Sequence, residues 1–345
     1  MNPILKGDTQ LKDAPSSLRA RVKHYNELAI EVESFLSKNP NEWGRFQSRF
    51  NWEINGVFRE IMNFEKECVD DGKEEKIFKL KKLFVNKMRK YFLHGDFINW
   101  SLQKPYGYAG DFKIIDDIYQ NNPTTIGFDR LFDNYFQMSA ISVAVRNRKE
   151  DFKRIISGFV SKHKSSEMRI MDIASGPCRD IKELLFNSEN GLFRNVSFDC
   201  FDADSRSIKH AKGLLENSKQ VNFTEINVLR IALKKEIERE FAHHYDIIFS
   251  TGLFDYLDAR ISTRLISNLK RVLKPNGILA ISDVRDKFSN PSIYFMEWVA
   301  DWSLIYREDD DFHQLFIDSG FHKDELKNSY EQQGIMQYII AEKKS

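Results

Sequence analysis

The chain has 345 residues, and its 52 lysines and arginines nearly cancel 51 aspartates and glutamates for a formal net charge of +1, so charge selects neither a nucleic-acid nor an anionic-membrane partner. That length exceeds the usual single domain and predicts two compact units, or one with a large extension. Cys68, Cys178 and Cys200 are too few and scattered for a disulfide framework or a zinc cluster; with no apolar core in the leading MNPILKGDTQ and no run near the ~20 apolar residues of a membrane span, the expectation is a cytoplasmic protein without metal or stable membrane association.

From Ser16 to about Lys162 apolar residues recur at helical spacing, as in LAIEVESFLSK, GVFREIMNFEKEC, KIFKLKKLFVNKMRKYF and RLFDNYFQMSAISVAV, which predicts an α-helical N-terminal domain over residues 1–162. KPYGYAGDF (residues 104–112) interrupts it, because Pro105, Gly107 and Gly110 do not sit together inside one helix. After the short polar segment SKHKSSE the pattern changes. MRIMDIA, VSFDCFDA, VNFTEIN, YDIIFSTG and GILAISDV alternate with amphipathic stretches, the rhythm of a parallel sheet with helices on both faces. DELKNSYE and IMQYIIAEK, separated by QQG, then read as an antiparallel hairpin. The predicted fold for residues 163–345 is therefore α/β: a doubly wound, mostly parallel, Rossmann-like sheet of seven strands ending in an antiparallel hairpin.

Open α/β sheets bind ligands beyond the carboxyl ends of their strands. The first predicted strand ends MDIASGPCRD, where Gly176 permits a tight turn close to a ligand and Asp172 faces the ligand's cationic end. A pyrophosphate fingerprint needs three glycines; here the positions are Ala174, Gly176 and Arg179, so a ligand without pyrophosphate fits better. The second strand ends FDCFDAD, placing Asp202 26 positions after Gly176, where an acid takes both hydroxyls of a ribose; Ala203 follows it and Asp204 is the lesser candidate. A helix N-cap is the bland alternative for Asp202. Asn227 and Val228 end the third strand, positioned for the amino group and ring of an adenine. Ser250, Thr251 and Gly252 end the fourth, with Leu253 to Tyr256 lining the opening. Cys178 reads as a packing residue, His313 as a structural histidine, and the aromatic segment YFMEWVADWSLIY as core.

Five parallel strands followed by a hairpin, with these strand ends, resemble class I S-adenosylmethionine-dependent methyltransferases, from Met168 to about Lys344. KPYGYAGDF, AVRNR, FSTGLFDYL and DWSLIYR further resemble a bacterial group named for extracellular-factor, 3-hydroxypalmitic acid methyl ester, biosynthesis. The resemblance implies S-adenosyl-L-methionine as cofactor, held by Asp172, Gly176, Asp202, Ala203, Asn227, Val228, Ser250, Thr251, Gly252 and Arg146. It also implies a lid from Tyr106, Tyr108 and Asp111 with Arg146 and Arg148, and Phe254 and Tyr306 on the acceptor side.

A sulfonium already activates the methyl group, so the protein chiefly aligns the acceptor and excludes water. A carboxylate acceptor is ionised well above its pKa of about 4 and needs no base; Arg146 or Arg148 would hold it, or hold the cofactor's own carboxylate. A hydroxyl or amine needs a proton acceptor, for which Asp255, Tyr256 or Asp111 are the candidates. The expected function is O-methylation of a small carboxylate or hydroxyl compound, fatty-acid-like in one form. N-methylation of a small metabolite, a non-catalytic cofactor-binding partner or sensor, and a nicotinamide oxidoreductase are the alternatives. DNA bases are disfavoured, since STGL replaces the Asn/Asp-Pro-Pro-aromatic signature, and a homodimer is left open.

Overall fold

The computed structural model describes residues 14–163, 167–187, 191–216, 218–241 and 244–344. They form two compact units, one of residues 1–143 with 287–303 and the other of residues 144–286 with 304–345. The units meet along the chain at Val143/Ala144 and not at 162/163, and the chain returns to the first unit after the sheet has begun. The polar segment SKHKSSE, whose residues 164–166 lie outside the described ones, falls within the sequence range of the second unit.

The first unit holds α1 (Ser16–Leu36), α2 (Gln47–Asp70), α3 (Glu74–Leu83), α4 (Asp96–Gln103), α5 (Phe112–Gln120), α6 (Gly127–Met138) and the start of α7 (Ala140–Lys162). Three- and four-residue spacing puts Phe50, Ile54, Val57, Phe58 and Ile61 on one buried stripe of α2. KIFKLKKLFVNKMRKYF is not one regular helix: α3 stops at Leu83 and a π-helical turn, Phe84–Met88, follows, burying both of its end residues.

The second unit completes α7 and contains β1 (Met168–Ile173), α8 (Arg179–Asn187), β2 (Val196–Asp202), α9 (Ser205–Leu214), β3 (Val221–Glu225), α10 (Val228–Leu233), α11 (Ile237–Glu240), β4 (Tyr245–Ser250), α12 (Ala259–Val272) and β5 (Leu273–Val284). Next in the chain, α13 (Pro291–Val299) belongs to the first unit; α14 (Asp309–Asp318), β6 (Leu326–Tyr330) and β7 (Met336–Glu342) return to the second. Every α13 side chain from Ser292 to Val299 is buried, which suits its largely apolar sequence and its place in the helical core against α2; the buried Glu297 carboxylate is paired with Lys287.

The seven strands run in the order β3-β2-β1-β4-β5-β7-β6. β1 to β5 are parallel to their neighbours, and β7 pairs antiparallel with both β5 and β6. This is the doubly wound sheet with terminal hairpin that the strand rhythm predicts. β5 is longer than GILAISDV, because Leu273 to Asn276 already lie in the strand and Asn276 takes the left-handed φ of 62°. Chain order reverses between β1 and β4, so the tips of β1, β2, β3 and β4 border the switch-point crevice. Among the described residues no helix is long and apolar enough to cross a membrane.

Candidate functional site

The turn after β1 is the most distorted backbone near the crevice. Ala174, Gly176 and Cys178 have φ of 56°, 55° and 52°, and for the two non-glycines this region is strained, as it often is at ligand sites. A Cβ on Gly176 would meet no heavy atom within 4 Å. Open space therefore adjoins the turn on the side where a ligand must approach the backbone.

Asp202, at the tip of β2, ties that turn to the second strand. Its Oδ2 accepts from Gly176 N at 2.9 Å and its Oδ1 from Asp204 N at 2.8 Å. Ser207 Oγ donates to Gly176 O at 2.8 Å. The cap of α9 is Asp204, whose side chain accepts from Arg206 N, so the N-cap alternative for Asp202 is excluded. A carboxylate has about four lone-pair sites, and two backbone donors leave Asp202 room to accept more.

Asp172 is buried, and burial, with Asp180 and Asp202 nearby, pushes its carboxyl well above the ordinary value. Asp180 is raised to about 6 and Asp202 in the same direction, burial being the largest cause in each. Three under-compensated carboxyls around one turn favour a cationic group beside them. The thiols of Cys178 and Cys200 lie with the Asp172 carboxylate inside 4.8 Å of one another, all buried, a grouping that their sequence positions did not suggest. Burial raises both thiols and keeps them protonated, the state of packing residues.

At the third tip, Asn227 is exposed and caps α10, its Oδ1 accepting from Leu229 N at 2.9 Å. The acceptor proposed for an adenine amino group is thus committed to the helix, while Val228 stays half-buried beside it. At the fourth tip, Ser250 is fully buried and its hydroxyl donates to Ile173 O at 2.7 Å; it ties β4 to β1 and has no free group for a ligand. Thr251 and Gly252 are partly exposed. Phe254 is buried in the core formed by Ile173, Ile248, Leu265 and their neighbours, so it does not face an acceptor.

Asp255 is also buried. Its Oδ1 accepts from Val284 N at 2.9 Å and its Oδ2 lies 3.6 Å from Arg148 Nη1. Arg148 is therefore an internal partner of Asp255, and a Cβ on Gly252 would stand 3.0 Å from its guanidinium. Tyr256 is 46% exposed beside the turn, and Tyr306 and Arg146 are partly buried. Burial lowers the Arg146 guanidinium from its ordinary value.

Within the helical unit, Asp111 is fully buried and caps α5, accepting from Lys113 N and Ile114 N; its Oδ2 accepts from Trp100 Nε1 at 2.9 Å. Every oxygen is used, which removes it from the candidate bases. Tyr106 stacks on Phe112 at 5.2 Å and meets Trp100 edge-on, while Tyr108 is exposed. Sequence reading missed Asp283 and Arg307, two further buried charges in the second unit. Arg307 ends the quoted DWSLIYR and Asp283 lies in GILAISDV, but neither sequence context marks a burial partner.

Residues 171–279, from within β1 to within β5, match the model of a methyltransferase domain family. No curated protein matches the sequence. A Bordetella parapertussis protein described as a candidate exported protein aligns over 96% of this chain and 99% of its own, at 15% identity and a TM-score of 0.55. A candidate methyltransferase of Thermobifida fusca YX aligns over 67% of this chain and 94% of its own, at 13% identity and a TM-score of 0.51. At such identities the likeness establishes the fold alone. The matched segment, from within β1 to within β5, is similar to a methyltransferase domain.

Proposed function

We propose that the protein methylates a carboxylate oxygen of a small, fatty-acid-like acceptor. The observation that carries this reading is the state of Asp255 on the turn after β4: its carboxylate is buried, accepts from Val284 N and faces Arg148, while Asp258 at the end of the same connection caps α12. Asp255 cannot reach a substrate proton without breaking those contacts. An acceptor already ionised at neutral pH needs no such base.

Bound S-adenosylmethionine supplies a methyl group made electrophilic by its sulfonium. In this reading Asp202 accepts from the ribose hydroxyls, Gly176 and Ala203 let the backbone approach, Val228 flanks the adenine, and the carboxyls of Asp172 and Asp180 favour the cationic end of the donor. Thr251 and Gly252 border the transfer position. Tyr256 is the exposed titratable group there, and its exposure favours the second reading, a hydroxyl acceptor.

The test is incubation of the purified protein with methyl-labelled donor and a metabolite extract, followed by mild alkali. Label released as methanol identifies an ester and supports the proposal. Alkali-stable label, as in an ether or a methylamine, overturns the carboxylate reading, and absence of any transfer leaves a binding protein.

A further inference from the structure

Four separate segments of the second unit meet at the turn after β4. α7 contributes Arg148, the turn contributes Asp255, β5 contributes Asp283, and the chain leading into α14 contributes Arg307. All four side chains are buried. Arg307 Nη1 donates to both Asp283 oxygens at 3.0 and 3.1 Å and to Phe254 O at 2.9 Å, while its Nη2 donates to Leu257 O. Burial pushes the carboxyls of both Asp255 and Asp283 up from their ordinary value.

The same turn is fixed by three more contacts. Ile305 N donates to Asp255 O at 2.8 Å, Gly252 N to Ser282 Oγ at 3.2 Å, and Val284 N to the Asp255 carboxylate. Gly252, at φ 87°, leaves the space that the Arg148 guanidinium fills. One guanidinium, that of Arg307, thus spans both ends of the 254–257 segment, a task for which its planar fork suits it and a lysine does not. Residues of AVRNR, FSTGLFDYL and DWSLIYR converge here.

We propose that Arg307 and Asp283 are positioning residues for methyl transfer, holding the turn Gly252–Leu257 in a single geometry at the mouth of the crevice. The proposal rests on the methyltransferase reading but concerns a different part of the site from the Asp202 grip. In the full-length protein, Arg307→Lys should speed hydrogen exchange at the amides of 252–257 by about tenfold or more, the sign of a lost local constraint. Exchange at 174–178 and 202–207 should stay unchanged.

Affinity for S-adenosylhomocysteine should remain within about twofold of the parent while label transfer into a metabolite extract falls by about tenfold or more. If Arg307→Lys does not fold, Asp283→Ala tests the same claim, and Asp283→Asn, which keeps an acceptor for Arg307, should restore slow exchange. Unchanged exchange at 252–257, or equal losses of S-adenosylhomocysteine affinity and transfer, overturns the proposal. An unmodified protein that transfers no label sinks the methylation reading instead, and the exchange result stands apart from it.

Discussion

Asp202 sits at the tip of β2, bonded to the turn after β1. Its spacing from Gly176 predicts a nucleoside acid, and the structure leaves it at the crevice with the capping task taken by Asp204. Asp202→Ala should weaken S-adenosylhomocysteine binding by about 1–3 kcal/mol, the scale of a lost charge-assisted hydrogen bond; calorimetry showing equal affinity rules the assignment out. Asp180 makes a second prediction. Its folded-state value, raised to about 6, exceeds the ordinary 3.8, so the native state binds the extra proton and stability is lost as pH rises between the two. Asp180→Asn should therefore stabilise the protein by about 1–3 kcal/mol above pH 6, a gain that vanishes near pH 4 in urea titrations. Ser250, Phe254 and Asp255 were less legible, because residue type and strand position do not say which buried neighbour claims a hydroxyl, a ring or a carboxylate.

Periodicity identified the helices and strands well wherever one face is buried and the other is not, as in α2 and α12. It failed where local sequence is uniform: the π-helical turn at Phe84–Met88 keeps helical composition while changing its hydrogen bonding. The loop KPYGYAGDF was placed correctly as an interruption, yet its aspartate is a cap. Asp111 serves two backbone amides of α5 and the Trp100 indole at once, so Asp111→Ala should destabilise the helical unit by about 2 kcal/mol or more, beyond a typical cap loss of ~1 kcal/mol. Equilibrium urea unfolding measures this, and a change below about 0.5 kcal/mol, the range of a neutral surface substitution, contradicts it.

The whole molecule is not divided as its sequence divides. The helical unit needs residues 287–303, whose α13 places Phe295 edge-on to Phe58 and Tyr135 and Trp298 edge-on to Phe84. A fragment of residues 1–162 lacks these rings, and removing even one large core side chain costs about 3–5 kcal/mol. It should show no cooperative thermal transition by circular dichroism; a sharp one would mean that the unit closes its core without α13. By itself the sequence determined the alternation of strands and helices, the terminal hairpin and the crevice acids, because these follow from periodicity, turn chemistry and fixed spacing along the chain. Tertiary structure alone decided that α13 belongs to the helical core and that Arg148, Asp255, Asp283 and Arg307 share one network. Burial partners are chosen by proximity in space, and a pair such as Arg148 and Asp255 leaves no local pattern that records its meeting.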